Sequence, residues 1–125
     1  MALEIKHRRL TKPLLAEPGN TVRELVENMR REQKLIALIV DGKSVIGTIT
    51  VEKLERLLSK GFDGPVVNVM NRNVVTVSGE EDYLDLLSLL LKNKLDCLVV
   101  MKKNKVNGVL TLHDILYAIQ KSAVL

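Results

Sequence analysis

Apolar residues follow two rhythms that alternate along this chain. Val22, Leu25, Val26 and Met29 have the i, i+3, i+4, i+7 spacing of one helical face and predict a helix over about 21–32. Asn20 or Thr21 can cap it, with Glu24 three residues after Thr21. "LIALIV" at 35–40 is apolar on consecutive residues, as suits a strand covered on both faces. "VDGKS" then predicts a hairpin, because Asp-Gly accepts the positive φ of a tight turn, and "SVIGTIT" at 44–50 supplies the returning strand. Leu54, Leu57 and Leu58 resume a helical stripe over about 51–60, which Gly61 is placed to end. A short extended stretch, "KPLLAE", leads into the whole series.

The series then repeats. A shift of 61 residues places Tyr83, Leu86, Leu87 and Leu90 on the first helical stripe and "DCLVVMK" on "LIALIVD". Gly47 falls on Gly108 and Thr50 on Thr111, while Ile115, Ala118 and Ile119 take the second stripe. The second copy predicts helices at about 81–92 and 112–121, strands at about 97–101 and 105–110, a lead-in "NVVTVS" and a turn in "KKNKV". Neither copy can bury both faces of a three-stranded sheet alone. The expected fold is α/β: two pseudo-symmetric β-α-β-β-α repeats, residues 5–61 and 66–121, joined by a linker at 62–65 and packed through their sheets as one module.

Composition narrows the function classes. The 125 residues are 46% hydrophobic and 27% charged, ordinary for a globular domain. The longest apolar run is far short of a membrane span, and the opening residues show no secretory pattern. Cys97 sits within the apolar run "CLVVM" and reads as a reduced core thiol, so a cytoplasmic location without membrane contact is expected. A net charge of +4 favours anionic partners. Phe62, Tyr83 and Tyr117 make a poor stacking platform, so nucleic acid is a lesser alternative resting on the basic arm Lys6, His7, Arg8, Arg9 and Lys12. Two His, one buried Cys and scattered acids form no convergent catalytic or metal-binding set, and the expectation is a protein that is not an enzyme.

The chemistry concentrates in "GVLTLHDIL" at 108–116, where a strand runs into a helix. Thr111 and Asp114, three apart, form a near capping box. Equally, a carboxylate offers two acceptor oxygens to a vicinal diol, and the helix start favours anions. Both roles stay open on the residues alone, and both can coexist.

Over residues 5–121 the chain resembles a tandem pair of cystathionine-β-synthase-type (CBS) domains. The resemblance rests on "VMNRNVVTVSGEEDYLDLLSLLLKNKLDCLVVMKKNKVNGVLTLHDIL" and, more loosely, on "LTKPLLAEPGNTVRELVENMRREQKLIALIVDGKSVIGTITVEKL". It implies a regulatory module that binds an adenosine-containing ligand (AMP, ADP, ATP or S-adenosylmethionine) in a cleft between repeats, with no required cofactor. Asp114 would hold the ribose hydroxyls and Thr111 the sugar and phosphate side. Thr11, Pro13 and Leu14 would form the other wall, Lys34 would reach phosphate, and His113 would be a further phosphate contact. Repeat 1 departs from the pattern, since Lys53 stands where the ribose Asp belongs, and Asp96 disfavours an anion beside repeat 2. Decay of the sites into a ligand-free dimerisation module is therefore the main alternative. Leu84, Leu89, Leu91, Leu116 and Tyr117 replace Arg23, Asn28, Arg30, Glu55 and Arg56 of repeat 1, which predicts a homodimer or a docking face for a separate effector protein.

Overall fold

The computed structural model describes residues 9–123. Lys6, His7 and Arg8 of the basic arm, and the first residues of repeat 1, lie outside the described residues. The chain forms two compact units: Pro13–Val74, and Val75 onward together with the segment up to Lys12.

In the first unit, β1 (Leu14–Ala16) runs parallel to β2 (Ile36–Asp41), which pairs antiparallel with β3 (Ser44–Thr50). Helices α1 (Val22–Glu32) and α2 (Val51–Ser59) supply Val22, Leu25, Val26, Met29 and Leu54 to a core that also takes Ala37, Ile39 and Ile49 from the strands. The helical stripe of α1 is thus buried in full. Thr21, not Asn20, caps α1, its hydroxyl accepting the Glu24 N–H at 3.1 Å. Gly61 ends α2 as expected. With φ +85° it lets its own N–H reach the Leu58 carbonyl and the Phe62 N–H reach that of Leu57, the paired bonds of a Schellman turn. Consecutive burial of Ile36 through Ile39 fits the unbroken apolar run, but the strand starts one residue late and Leu35 stands 74% exposed.

The second unit repeats the plan. β4 (Thr76–Val77) is parallel to β5 (Leu98–Lys102), which pairs with β6 (Lys105–Leu110), and α3 (Tyr83–Lys92) and α4 (Leu112–Ala123) complete it. Tyr83, Leu86, Leu90, Ile115 and Ala118 fill its core with Leu98, Val100 and Leu110. The repeat extends to irregularities. Each hairpin carries a bulge at the equivalent place, between Ile39 and Val40 and between Val100 and Met101. The tips differ: Gly42 alone takes positive φ in the first, whereas both Lys103 and Asn104 do so in the second.

Each hairpin strand is completed by a short segment from elsewhere in the chain. In the first unit Thr48 and Asn71 exchange backbone hydrogen bonds of 2.9 and 2.8 Å. In the second unit Thr11 and Val109, the counterpart of Thr48, exchange two of 2.9 Å. This exchange explains the repeated glycine. A Cβ on Gly47 would strike Met70, and one on Gly108 would lie 2.9 Å from Leu10 Cβ and 3.2 Å from the Thr11 carbonyl.

Candidate functional site

Strand β6 ends at Leu110, and Thr111 turns the chain into α4. Helix starts leave backbone N–H groups without partners, and here both halves of a capping box form. The Thr111 hydroxyl accepts the Asp114 N–H at 3.2 Å, and Asp114 Oδ2 accepts the Thr111 N–H at 2.9 Å. The Thr111 hydroxyl also donates to Oδ2 at 3.0 Å. A third donor arrives from far along the sequence, the Thr11 hydroxyl at 2.7 Å. All three converge on Oδ2. Asp114 is only 8% exposed, one of two buried polar or charged residues among those described. Its Oδ1 accepts no hydrogen bond from the described residues, yet is not sealed from solvent.

Residues 9–12 lie along this end of the unit as a strap. Leu10 packs against the core, and Lys12 Nζ donates to the Asn107 carbonyl at 2.8 Å. The Arg9 guanidinium stands 4.8 Å from the centre of the Tyr117 ring, with Lys121 Nζ at 5.8 Å. Below them, burial pushes the Cys97 thiol up to about 12, with the charges of Asp96 and Asp114 acting in the same direction. Cys97 is therefore an inert core thiol, as the sequence suggests.

Of the residues expected to bind ligand, the structure brings Thr11, Thr111 and Asp114 into direct contact. His113 is exposed on the first turn of α4. Pro13, Leu14 and Lys34 belong to the first unit. There Leu14 pairs with Ala37 in the sheet, and the Lys34 N–H closes the end of α1 by donating to the Met29 carbonyl. The equivalent position in that unit has half of the arrangement: the Thr50 hydroxyl accepts the Lys53 N–H at 3.2 Å, and no carboxylate is present to return a bond. The sequence places Thr11 on the wall facing Asp114 but does not show the direct hydrogen bond between them. Its signal was Gly108, since a glycine inside a strand marks close backbone approach.

Other surfaces contrast with this site. An open cavity of about 530 Å³ in the first unit is lined by Leu15, Ala16, Glu17, Pro18, Val40, Asp41 and Gly42, none of them a predicted ligand residue. On α3 and α4, Leu84, Leu91 and Leu116 are 66%, 57% and 49% exposed. Leu91 and Leu116 occupy the positions where the first unit has Arg30 and Glu55, joined there by a 3.1 Å ion pair. Leu89 and Tyr117, also expected on this face, are half-buried instead: Leu89 packs on the core and Tyr117 lies beside Arg9. Among the described residues no group of His, Cys, Asp and Glu is arranged to hold a metal ion, and no helix is long and apolar enough to cross a membrane.

Comparison with known proteins agrees with the duplicated fold. The CBS domain family model matches twice, over residues 6–60 and 66–121. An uncharacterized protein of Methanocaldococcus jannaschii, MJ1232, is 30% identical over 100 residues, which is 79% of this chain and 33% of that protein. The chain thus spans about a third of that relative's length. Among solved structures, the CBS domain pair of protein MJ0100, in complex with 5′-methylthioadenosine and S-adenosyl-L-methionine, gives a TM-score of 0.77 at 21% identity, covering 98% of this chain and 99% of that one. An uncharacterized conserved protein from Pyrococcus horikoshii gives 0.76 at 23% identity, covering 96% and 94%. CBSX2 in complex with AMP gives 0.69 at 18% identity, covering 98% of each.

Proposed function

The chain belongs to the CBS-domain family, and on that premise we propose that it is a regulatory module, without catalytic activity, that senses an adenosine-containing ligand through Asp114. The observation that carries this reading is the carboxylate itself: nearly buried, fixed by neighbouring donors, and with one oxygen still open. Fixing an acceptor in advance lowers the ordering cost of binding, and a charged acceptor makes the stronger hydrogen bonds to a sugar hydroxyl. The solved relatives holding S-adenosyl-L-methionine, 5′-methylthioadenosine or AMP support an adenosine ligand as the class. Residues 5–61 and 66–121, joined by 62–65, are the two repeats in this reading. Lys53 leaves the first without a ribose acceptor, so one ligand binds per chain. A ligand regulates by favouring one arrangement of the protein over another, and the readout passes to a separate effector protein or to a second copy. Calorimetry with AMP, ADP, ATP and S-adenosylmethionine tests this. One compound binds at about one per chain and Asp114→Ala loses it; undiminished binding by that variant refutes the assignment.

The exposed leucines of α3 and α4 favour a second role, homodimerisation. Equivalent helices carry a solvent-facing Arg30–Glu55 pair in one unit and Leu91 with Leu116 in the other, so the substitution is a surface choice and not a core requirement. Without ligand binding, this face alone would make the chain a dimerisation module.

A further inference from the structure

We infer that the lysine-rich hairpin tip of one chain docks in the acidic cavity of a second copy, joining molecules head to tail. The duplication supplies the comparison. The 61-residue shift that aligns the repeats puts Asp41 on Lys102, Gly42 on Lys103, Ser44 on Lys105 and Glu17 on Ser78. The same end of the same hairpin is therefore acidic in the first unit and basic in the second. Only the acidic version lines a cavity, of about 530 Å³, where Glu17 and Asp41 stand with Leu15, Pro18 and Val40 and no cation. Both acids are exposed, and Leu15 is unusually so for a strand leucine, at 60%.

Neither set of charges is answered within the chain. Among the described residues, Glu17 and Asp41 form no ion pair, and neither do Lys102, Lys103 and Lys105. Lys102 and Lys105 are direct partners in the β5–β6 ladder, where like charges opposite one another cost stability. Lys103 stands at the turn between them and, with Asn104, takes the positive φ of a tight two-residue turn. A tip closed so tightly presents three cations together with little further ordering. Lysine stems lie readily along apolar surface while their heads reach carboxylates, and Leu15, Pro18 and Val40 offer that surface beside Glu17 and Asp41. A polyanion of another kind would answer the lysines but leave the cavity unexplained. A second copy accounts for both. Tip and cavity are different patches, so the contact is heterologous and continues from molecule to molecule.

Light scattering over a protein concentration series tests this, at about 0.01 M salt, where charges act over about 30 Å, and at about 1 M, where they act over about 3 Å. In low salt the wild-type mass rises with concentration past the value it holds in high salt. Lys102→Glu with Lys103→Glu abolishes the rise, and so does Glu17→Lys with Asp41→Lys. An equal mixture of the two variants regains it, because the tip left intact on one meets the cavity left intact on the other. All four positions are exposed, so the variants fold. A wild type whose mass does not rise in low salt overturns the inference, as does a mixture that stays at the high-salt mass. A rise that survives either double substitution alone places the contact elsewhere and overturns it too.

Discussion

Gly108→Ala is the substitution through which the packing of β6 can be tested against the Thr11–Asp114 contact. The new Cβ stands 2.9 Å from Leu10 Cβ and 3.2 Å from the Thr11 carbonyl oxygen, against a comfortable carbon separation of about 3.5–4.0 Å. Neither obstacle is the free end of a side chain. The strap must back away by roughly half an ångström or more, which strains the two 2.9 Å bonds between Thr11 and Val109. Two such bonds are worth about 1–3 kcal/mol together, the same range as overpacking a core by one carbon. If the strap detaches, the Thr11 bond to Asp114 adds about 1.5–3 kcal/mol. The expected cost is therefore about 1–3 kcal/mol with the strap in place, and more where it detaches. Gly47→Ala is the control. Its Cβ strikes Sδ and Cγ of the buried Met70, so that side chain must repack within its own core while the pairing of Thr11 with Val109 is left alone. Urea denaturation of both variants, with amide exchange at Thr11 and Val109, reads the difference. Lost protection of the Thr11 amide in the Gly47 variant, or unchanged protection of it in Gly108→Ala, would refute the reasoning.

Thr50→Ala removes one cap bond and costs about 1 kcal/mol, whereas Thr111→Ala removes the equivalent cap bond and also a hydroxyl donor to the Asp114 carboxylate, and costs about 2 kcal/mol; denaturation midpoints in urea distinguish the two. Leu91→Arg with Leu116→Glu transplants the Arg30–Glu55 pair onto α3 and α4, so light scattering finds a monomer while stability changes by less than about 0.5 kcal/mol. A dimer that survives this change does not use that face. Burial raises the Cys97 thiol to about 12 from 9.0, so the folded state holds its proton where the unfolded state releases it. Stability is full below about pH 9 and falls by up to about 1.4 kcal/mol per pH unit above it; replacing Cys97 with Ala removes that slope. Thiol reagents at pH 8 label Cys97 only after unfolding.

The fold was legible because its signals are local. The stripe Val22, Leu25, Val26 and Met29 is buried in full, and Gly61 takes the positive φ its position required. Repetition made each weak signal count twice, down to Gly47 and Gly108. Gly108 marks a close approach, but the segment that makes it was not legible, since nothing near Thr11 announces pairing with Val109. That contact is set by tertiary geometry over 98 residues, not by propensity. The same limit applied to the site. Thr111 and Asp114 could be read as a cap or as a ribose acceptor, and the structure shows the cap formed while one carboxylate oxygen stays open. Leu89 and Tyr117 show the converse error. Both look like surplus surface in the helical pattern, yet the core takes one and Arg9 covers the other.

The adenosine-sensing claim meets its most direct test in a thermal-shift series with AMP, ADP, ATP and S-adenosylmethionine. A compound that binds only the folded chain raises its midpoint, by the equivalent of about 2.7 kcal/mol at a hundredfold excess over Kd. At least one of the four raises the midpoint of the wild-type chain and none raises that of Asp114→Ala. Equal shifts in both proteins, or none in either, contradict the claim.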